Sequence, residues 1–147
     1  MEQDKIYALY EKHRQGIFRY AFFIVRNRQT AEDVLHDTFE KMLTKGGHCA
    51  PGKEQAWLYR VARNRCFDLL KKAKWEQAYI EPPSADAQRY AYIDLIATLS
   101  PKDQELVTLK IVGGLSHREV GAVLGITAKA AQKRYERIID ELRREEE

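Results

Sequence analysis

LSPKDQELVTLKIVGGLSHREVGAVLGITAKAAQKRYERIIDE, Leu99–Glu141, decides the fold, because its helix starts and stops are written into the residues. Ser100 is an N-cap residue, Pro101 suits the first helical position, and Asp103 puts an acidic group in the first turn. Gly113-Gly114 supplies a stop, where a residue must enter left-handed space. Ser116 with Glu119 spells a capping box for a second helix that runs to Leu124, and Gly125 makes a tight turn. Thr127 then caps a third helix whose exposed side carries Lys129, Gln132, Lys133, Glu136 and Arg137. A basic helix presented after a short glycine turn has the geometry that enters a DNA major groove. The plainer alternative is a helical hairpin with a solvated, charged face. Three ordered caps around a glycine turn favour the first reading.

The remainder of the chain frames that motif. At 147 residues it is one ordinary domain or two small ones. No apolar run approaches the ~20 residues of a membrane span, and none near Met1 resembles a signal peptide. Two cysteines, Cys49 and Cys66, make no disulfide framework, so a reducing cytoplasm is expected. His36, His48, Cys49 and Cys66 have spacings that match no zinc pattern, and no metal or cofactor is expected. The formal net charge is only +3, but it is unevenly spread. Between Lys53 and Trp75 seven basic residues face only Glu54 and Asp68. One segment holds the positive field, which points to a polyanion bound there and acidic surface elsewhere.

Every periodic segment is helical in spacing. Ile6, Leu9, Tyr10, His13, Ile17, Tyr20, Ala21 and Ile24 follow a 3.6 period and predict a long first helix stopping near Asn27-Arg28. Thr30 is expected to cap the next helix, with Asp33 completing a capping box and Ala31, Val34, Leu35, Thr38, Phe39 and Met42 buried. TKGGHCAPGKEQ, Thr44–Gln55, carries three glycines and a proline and reads as a loop. A helix from Ala56 to about Lys74 follows, with Leu58, Val61, Ala62, Cys66 and Leu69 inward. Pro82-Pro83 and small polar residues make 76–88 a linker, and Arg89–Thr98 a last helical run before the helix-turn-helix. The expected fold is all-α: two small helical domains, 1–75 and 89–147, joined by a flexible linker.

Two further surfaces carry chemistry. Trp57, Arg60, Asn64, Phe67 and Lys71 recur at spacings of three and four and share a helix face. Cations that track phosphates, interleaved with aromatic planes that stack on unpaired bases, are the combination that holds single-stranded nucleic acid. Trp57 and Phe67 at the edge of a buried stripe are equally what a core produces. On the helix before it, Glu32, Asp33, His36, Asp37, Glu40 and Lys41 lie opposite the apolar stripe. Solvation explains such a face by default. In a chain that binds DNA, however, an acidic face gains nothing from the DNA, whereas a basic protein partner accounts for it.

AEDVLHDTFEKML (Ala31–Leu43), AWLYRVARNRCFDLLKK (Ala56–Lys72) and LSPKDQELVTLKIVGGLSHREVGAVLGIT (Leu99–Thr127) together resemble the bacterial extracytoplasmic-function (ECF) sigma factors. These are promoter-specificity subunits of RNA polymerase. The resemblance runs over nearly the whole chain, in order, with a linker where the family has one. It implies that Asp33, Asp37 and Glu40 dock on the coiled coil of the polymerase β′ subunit, with the β subunit as a further contact. It implies that Trp57, Arg60, Arg63, Asn64 and Lys71 open and read the −10 promoter element, and that Thr127, Lys129, Gln132, Lys133 and Arg137 read the −35 element as duplex. The implied partners are core RNA polymerase, promoter DNA and an anti-sigma factor, with no membrane insertion. Departures are Gln132 where the family usually has lysine or arginine, Ala131 for valine, Tyr135 for leucine, and Arg65 and Phe67 for aliphatic residues. An amide and a guanidinium prefer different base edges, so Gln132 implies an altered −35 preference.

No catalytic constellation competes. The chain has no nucleophile, histidine and carboxylate at readable spacing and no glycine-rich phosphate loop after a strand, so no enzymatic activity is expected. His13 is expected in the core, and His36 and His117 on exposed helix faces. The alternatives are a stand-alone helix-turn-helix regulator that never joins polymerase, and a sigma-like module that titrates a regulator. The first needs neither the acidic face nor the Trp57–Lys74 face.

Overall fold

The computed structural model describes residues 2–46, 49–76 and 87–146, with the side chains of 73–76, 87–90 and 146 left out of account. Every regular element among the described residues is helical: α1 (Gln3–Val25), α2 (Arg28–Lys45), α3 (Glu54–Glu76), α4 (Ala87–Leu95), α5 (Pro101–Ile111), α6 (His117–Leu124) and α7 (Ala128–Glu146). The chain divides into two compact units, Met1–Glu81 and Pro82–Glu147. Of the expected linker 76–88, residues 77–86 lie outside the described residues, as does His48.

In the first unit α1 packs on both α2 and α3, and α2 on α3. Ile6, His13, Ile17, Tyr20, Ala21, Phe22 and Val25 of α1 are buried. The α2 stripe is the six residues that the periodicity picks out, Ala31, Val34, Leu35, Thr38, Phe39 and Met42. Thr38 pays no penalty for burial because its hydroxyl donates to the Val34 carbonyl at 2.7 Å. Tyr59, which the α3 pattern did not single out, is fully buried against Tyr20 with ring centroids 5.5 Å apart. Val61 and Leu69, expected inward, are half-buried instead. The α3 stripe is therefore rotated toward Tyr59.

The α1–α2 junction corrects the expected cap. Arg26 takes the left-handed conformation at φ 55° and ends α1 without a glycine. Asn27 is the N-cap of α2, its Oδ1 accepting the Thr30 N–H at 2.9 Å. Thr30 thus lies three residues inside the helix, and the Thr30–Asp33 capping box does not form. The physical reason is that Asn27, directly after the turn, is itself a strong cap residue and starts the helix three residues earlier, where its side chain takes the Thr30 N–H.

In the second unit the punctuation forms as read. Ser100 Oγ accepts the Asp103 N–H at 3.2 Å, with Pro101 at the first helical position. Gly114 sits at φ 70° and Gly125 at φ 75°. Ser116 and Glu119 exchange both bonds of the capping box, at 3.1 and 3.0 Å. Thr127 Oγ1 accepts the Ala130 N–H at 3.1 Å and opens α7. Ile96, Leu106, Leu109, Leu115, Val120, Ala131 and Ile138 form the core beneath these helices. The Tyr92 hydroxyl ties α4 to α5 through the Thr108 hydroxyl at 2.9 Å. Burial raises the Tyr92 phenol above its ordinary range.

Candidate nucleic-acid interface

Three helix faces present the residues singled out from the sequence. On α2, Glu32, Asp33, His36 and Glu40 are exposed and Asp37 is partly covered. Their exposure follows from the burial of Val34, Leu35, Thr38 and Phe39 on the opposite side. Asp37 is held from α3: Arg65 Nε donates to its Oδ2 at 2.8 Å. Arg65 thereby links the acidic face to the basic helix. Nothing in the sequence spacing announces that contact, because the two residues lie 28 positions apart.

On α3, Arg60, Asn64 and Lys71 are exposed, while Trp57, Arg63 and Phe67 are half-buried. The core alternative for Trp57 and Phe67 is therefore met in part: each keeps an exposed portion beside the cations. The Arg63 guanidinium lies over the Phe67 ring, 4.8 Å from its centroid, which holds a cation and an aromatic plane side by side. Near the start of α3, Glu54 accepts the Gly52 N–H at 3.2 Å and pairs with Lys5 Nζ at 3.3 Å. Hydrogen bonding from its own backbone N–H, outweighing burial and joined by Gly52 and Lys5, holds the Glu54 carboxyl below the usual range.

On α7, Lys129, Gln132, Lys133 and Glu136 form an exposed strip beginning two residues past the Thr127 cap. Gln132 Nε2 donates to Glu136 Oε1 at 3.2 Å. Arg137 differs from its neighbours. Its guanidinium donates to Glu141 Oε1 at 2.9 Å and to Asp103 Oδ1 and Oδ2 at 3.1 and 3.2 Å. Those carboxylates, Glu141 first, raise the Arg137 guanidinium above its ordinary range. Arg134 Nη2 meets the same Asp103 Oδ1 at 3.1 Å. Asp103, whose side chain is 9% exposed, thus fastens α5 to α7. The sequence marked it only as a first-turn acid. Its second role depends on residues more than thirty positions away. His117 is not on an exposed face as expected: it is half-buried against Tyr135, ring centroids 5.8 Å apart, with Nδ1 enclosed. The Tyr135 ring lies beside it.

These faces coincide with two family matches, Sigma-70 region 2 over residues 9–76 and Sigma-70 region 4 over residues 89–142. The RNA polymerase sigma factor CarQ of Myxococcus xanthus is 30% identical, the match covering 96% of this chain and 88% of that protein. The chain belongs to the ECF sigma factors of RNA polymerase. The ECF sigma factor BldN of Streptomyces coelicolor is 29% identical over 84% of this chain, which spans only 53% of BldN. Among solved structures the fold of this sigma factor is that of CnrH, in a complex with the cytosolic domain of CnrY, at a TM-score of 0.76 and 23% identity over 96% of this chain and 86% of that one. It is also that of RpoE from Bartonella quintana, solved with the anti-sigma factor NepR, at 0.69 and 20% identity over 93% and 95%.

The region 2 match takes in α1 to α3, with the acidic and the basic-aromatic faces. The region 4 match takes in the helix-turn-helix and all but the end of α7. No helix of this sigma factor, among the described residues, is long and apolar enough to cross a membrane. Arg65, Asp103, Arg134 and Glu136 join the residues that shape its surfaces. Of these only Glu136 stood on a face already read from spacing.

Proposed function

We propose that the chain binds core RNA polymerase and directs transcription from promoters with −10 and −35 elements. Asp33, Asp37 and Glu40 meet the basic β′ coiled coil, with further contacts to the β subunit. Trp57, Arg60, Arg63, Asn64 and Lys71 take the −10 element, cations along phosphates and Trp57 on an unpaired base. Thr127, Lys129, Gln132, Lys133 and Arg137 form the −35 duplex surface, Arg137 chiefly through the placing of α7. The protein supplies no catalytic group of its own and acts in the cytoplasm, where the polymerase provides the chemistry. An anti-sigma factor is a further partner, as it is of RpoE in its solved complex.

The observation that carries this reading is that one chain holds all three faces. An exposed acidic strip on α2, a mixed cation-aromatic face on α3 and a capped basic helix α7 are separate surfaces. A stand-alone regulator uses only the last. The test is co-purification with core polymerase followed by sequencing of run-off transcripts. Stable association and a shared two-element motif upstream of the starts are expected. Binding to duplex DNA without association with core would establish the stand-alone regulator instead.

A further inference from the structure

Glu136 lies in the third turn of α7, on the strip that also holds Lys129, Gln132 and Lys133. A carboxylate among cations on a DNA-facing strip repels phosphate, so its presence asks for a compensating use. Its contact supplies one. Glu136 Oε1 accepts from Gln132 Nε2 at 3.2 Å, across one helical turn, and both side chains are exposed. A carboxylate only accepts, so the amide nitrogen must face it; the flipped amide would set two oxygens against each other. The Gln132 carboxamide is therefore held in one orientation. Its oxygen and its second N–H remain as one acceptor and one donor in fixed order.

We infer that Glu136 is a positioning residue that orients Gln132 to read adenine in the −35 duplex. In the major groove adenine presents a donor at N6 and an acceptor at N7, which complements an amide's acceptor and donor. Guanine presents two acceptors and thymine one, so neither matches both groups. An amide free to rotate satisfies guanine or thymine through its nitrogen alone. An amide held by Glu136 does so less well, and discrimination rises. The inference rests on the reading that α7 enters the −35 major groove, and it assigns base choice to a pair of side chains instead of to Gln132 alone.

The experiment uses holoenzyme assembled from core polymerase and the full chain, with a promoter library randomised across the −35 element. Gln132→Ala locates the position that this side chain reads. The wild type is expected to favour adenine there by roughly tenfold over guanine or thymine. Glu136→Ala should bind the library more tightly overall, because an anion has left the surface, yet lose most of that preference. Glu136→Gln separates the charge from the orientation. Its amide can meet Gln132 through oxygen or nitrogen, so affinity should rise as in Glu136→Ala while the adenine preference falls only part-way. A role confined to helix stability moves affinity at every position together and gives no such split. An unaltered preference in Glu136→Ala overturns the inference while leaving the −35 reading intact, and so does cytosine, guanine or thymine favoured by the wild type at that position. A wild-type holoenzyme that selects no −35 sequence overturns the −35 reading itself.

Discussion

Arg65 Nε stands 2.8 Å from Asp37 Oδ2, so a cation of the basic helix α3 is bonded to a carboxylate of the acidic helix α2. Both side chains are about two-fifths exposed, and such surface pairs contribute on the order of 0–1 kcal/mol to folding. The contact's larger effect is on which acids stay open to a basic partner. Asp33 and Glu40 are exposed, whereas Asp37 already has an in-chain cation.

Reversal of charge at the three acids, Asp33→Lys, Asp37→Lys and Glu40→Lys together, should abolish association with core polymerase. Singly, Asp33→Lys and Glu40→Lys should weaken it more than Asp37→Asn. Because Asn27 and not Asp33 caps α2, Asp33→Lys should leave the melting temperature nearly unchanged. Titration of fluorescent core enzyme, with thermal denaturation alongside, measures both. Unchanged core affinity in the triple variant removes α2 as the docking face.

Arg60 and Asn64 are exposed one turn apart on α3, and Arg63 is laid over Phe67. Alanine at all three should block promoter opening and spare core binding. Permanganate reactivity of unpaired thymines near the start site reports this. Normal reactivity in the variant holoenzyme would take α3 out of the melting step.

Asp103 is the anchor of the second unit. Asp103→Asn keeps the shape but removes the charge that Arg134 and Arg137 enclose. Loss of a buried, charge-assisted network of this kind costs about 1–3 kcal/mol, moderated here because both arginines reach solvent. For a domain of this size each kcal/mol is worth roughly 4–8 °C in Tm. Calorimetry of the full chain should show that unit melting earlier, and no shift would deny Asp103 its anchoring role.

What the sequence made legible was whatever depends on near neighbours. The Ser100, Ser116 and Thr127 caps, the Gly114 and Gly125 turns and the α2 stripe are all set within four or five residues, where period and capping chemistry suffice. The Thr30 cap was misplaced because Asn27 offers the same capping chemistry three residues earlier, and local rules rank the two closely. Tyr59, Arg65–Asp37 and Asp103–Arg137 were out of reach for a different reason. Each depends on how one helix is rotated against another far along the chain, which spacing within a helix does not encode. The candidate faces on α3 and α7 were visible from charge and period. The division on α7 between side chains left open and those bonded to α5 was not.

That division gives a salt prediction. Lys129→Ala or Lys133→Ala should each flatten the dependence of log affinity on log salt by about 1 if the lysine touches phosphate, or relax specificity at one base pair if it touches a base edge. Arg137→Ala should instead lower thermal stability, since its guanidinium is bonded to Asp103 and Glu141. Equal salt slopes for wild type and both lysine variants, with specificity unchanged, would place α7 off the DNA.

Glu54 makes stability pH-dependent. Its carboxyl is held below its ordinary value of 4.5, so the folded state gains from its ionised form above that pH and loses the gain as pH falls below it. Acid unfolding of the first unit should therefore be less steep in Glu54→Gln, as followed by circular dichroism between neutral pH and about pH 3. Superimposable curves would show the Lys5 and Gly52 contacts to be without effect.

Apart from Arg137, half-exposed yet bonded to Asp103, the packed and the open sides of α7 use different residues. Ala131 and Ile138 face the core and Arg134 reaches Asp103, while Lys129, Gln132, Lys133 and Glu136 lie on the open strip. Replacement on that strip is close to neutral for folding, as for most surface positions. On the proposed −35 reading, the promoter preference can therefore change one substitution at a time without passing through an unstable intermediate. The same helix that commits the protein to one architecture leaves its choice of genes open to revision.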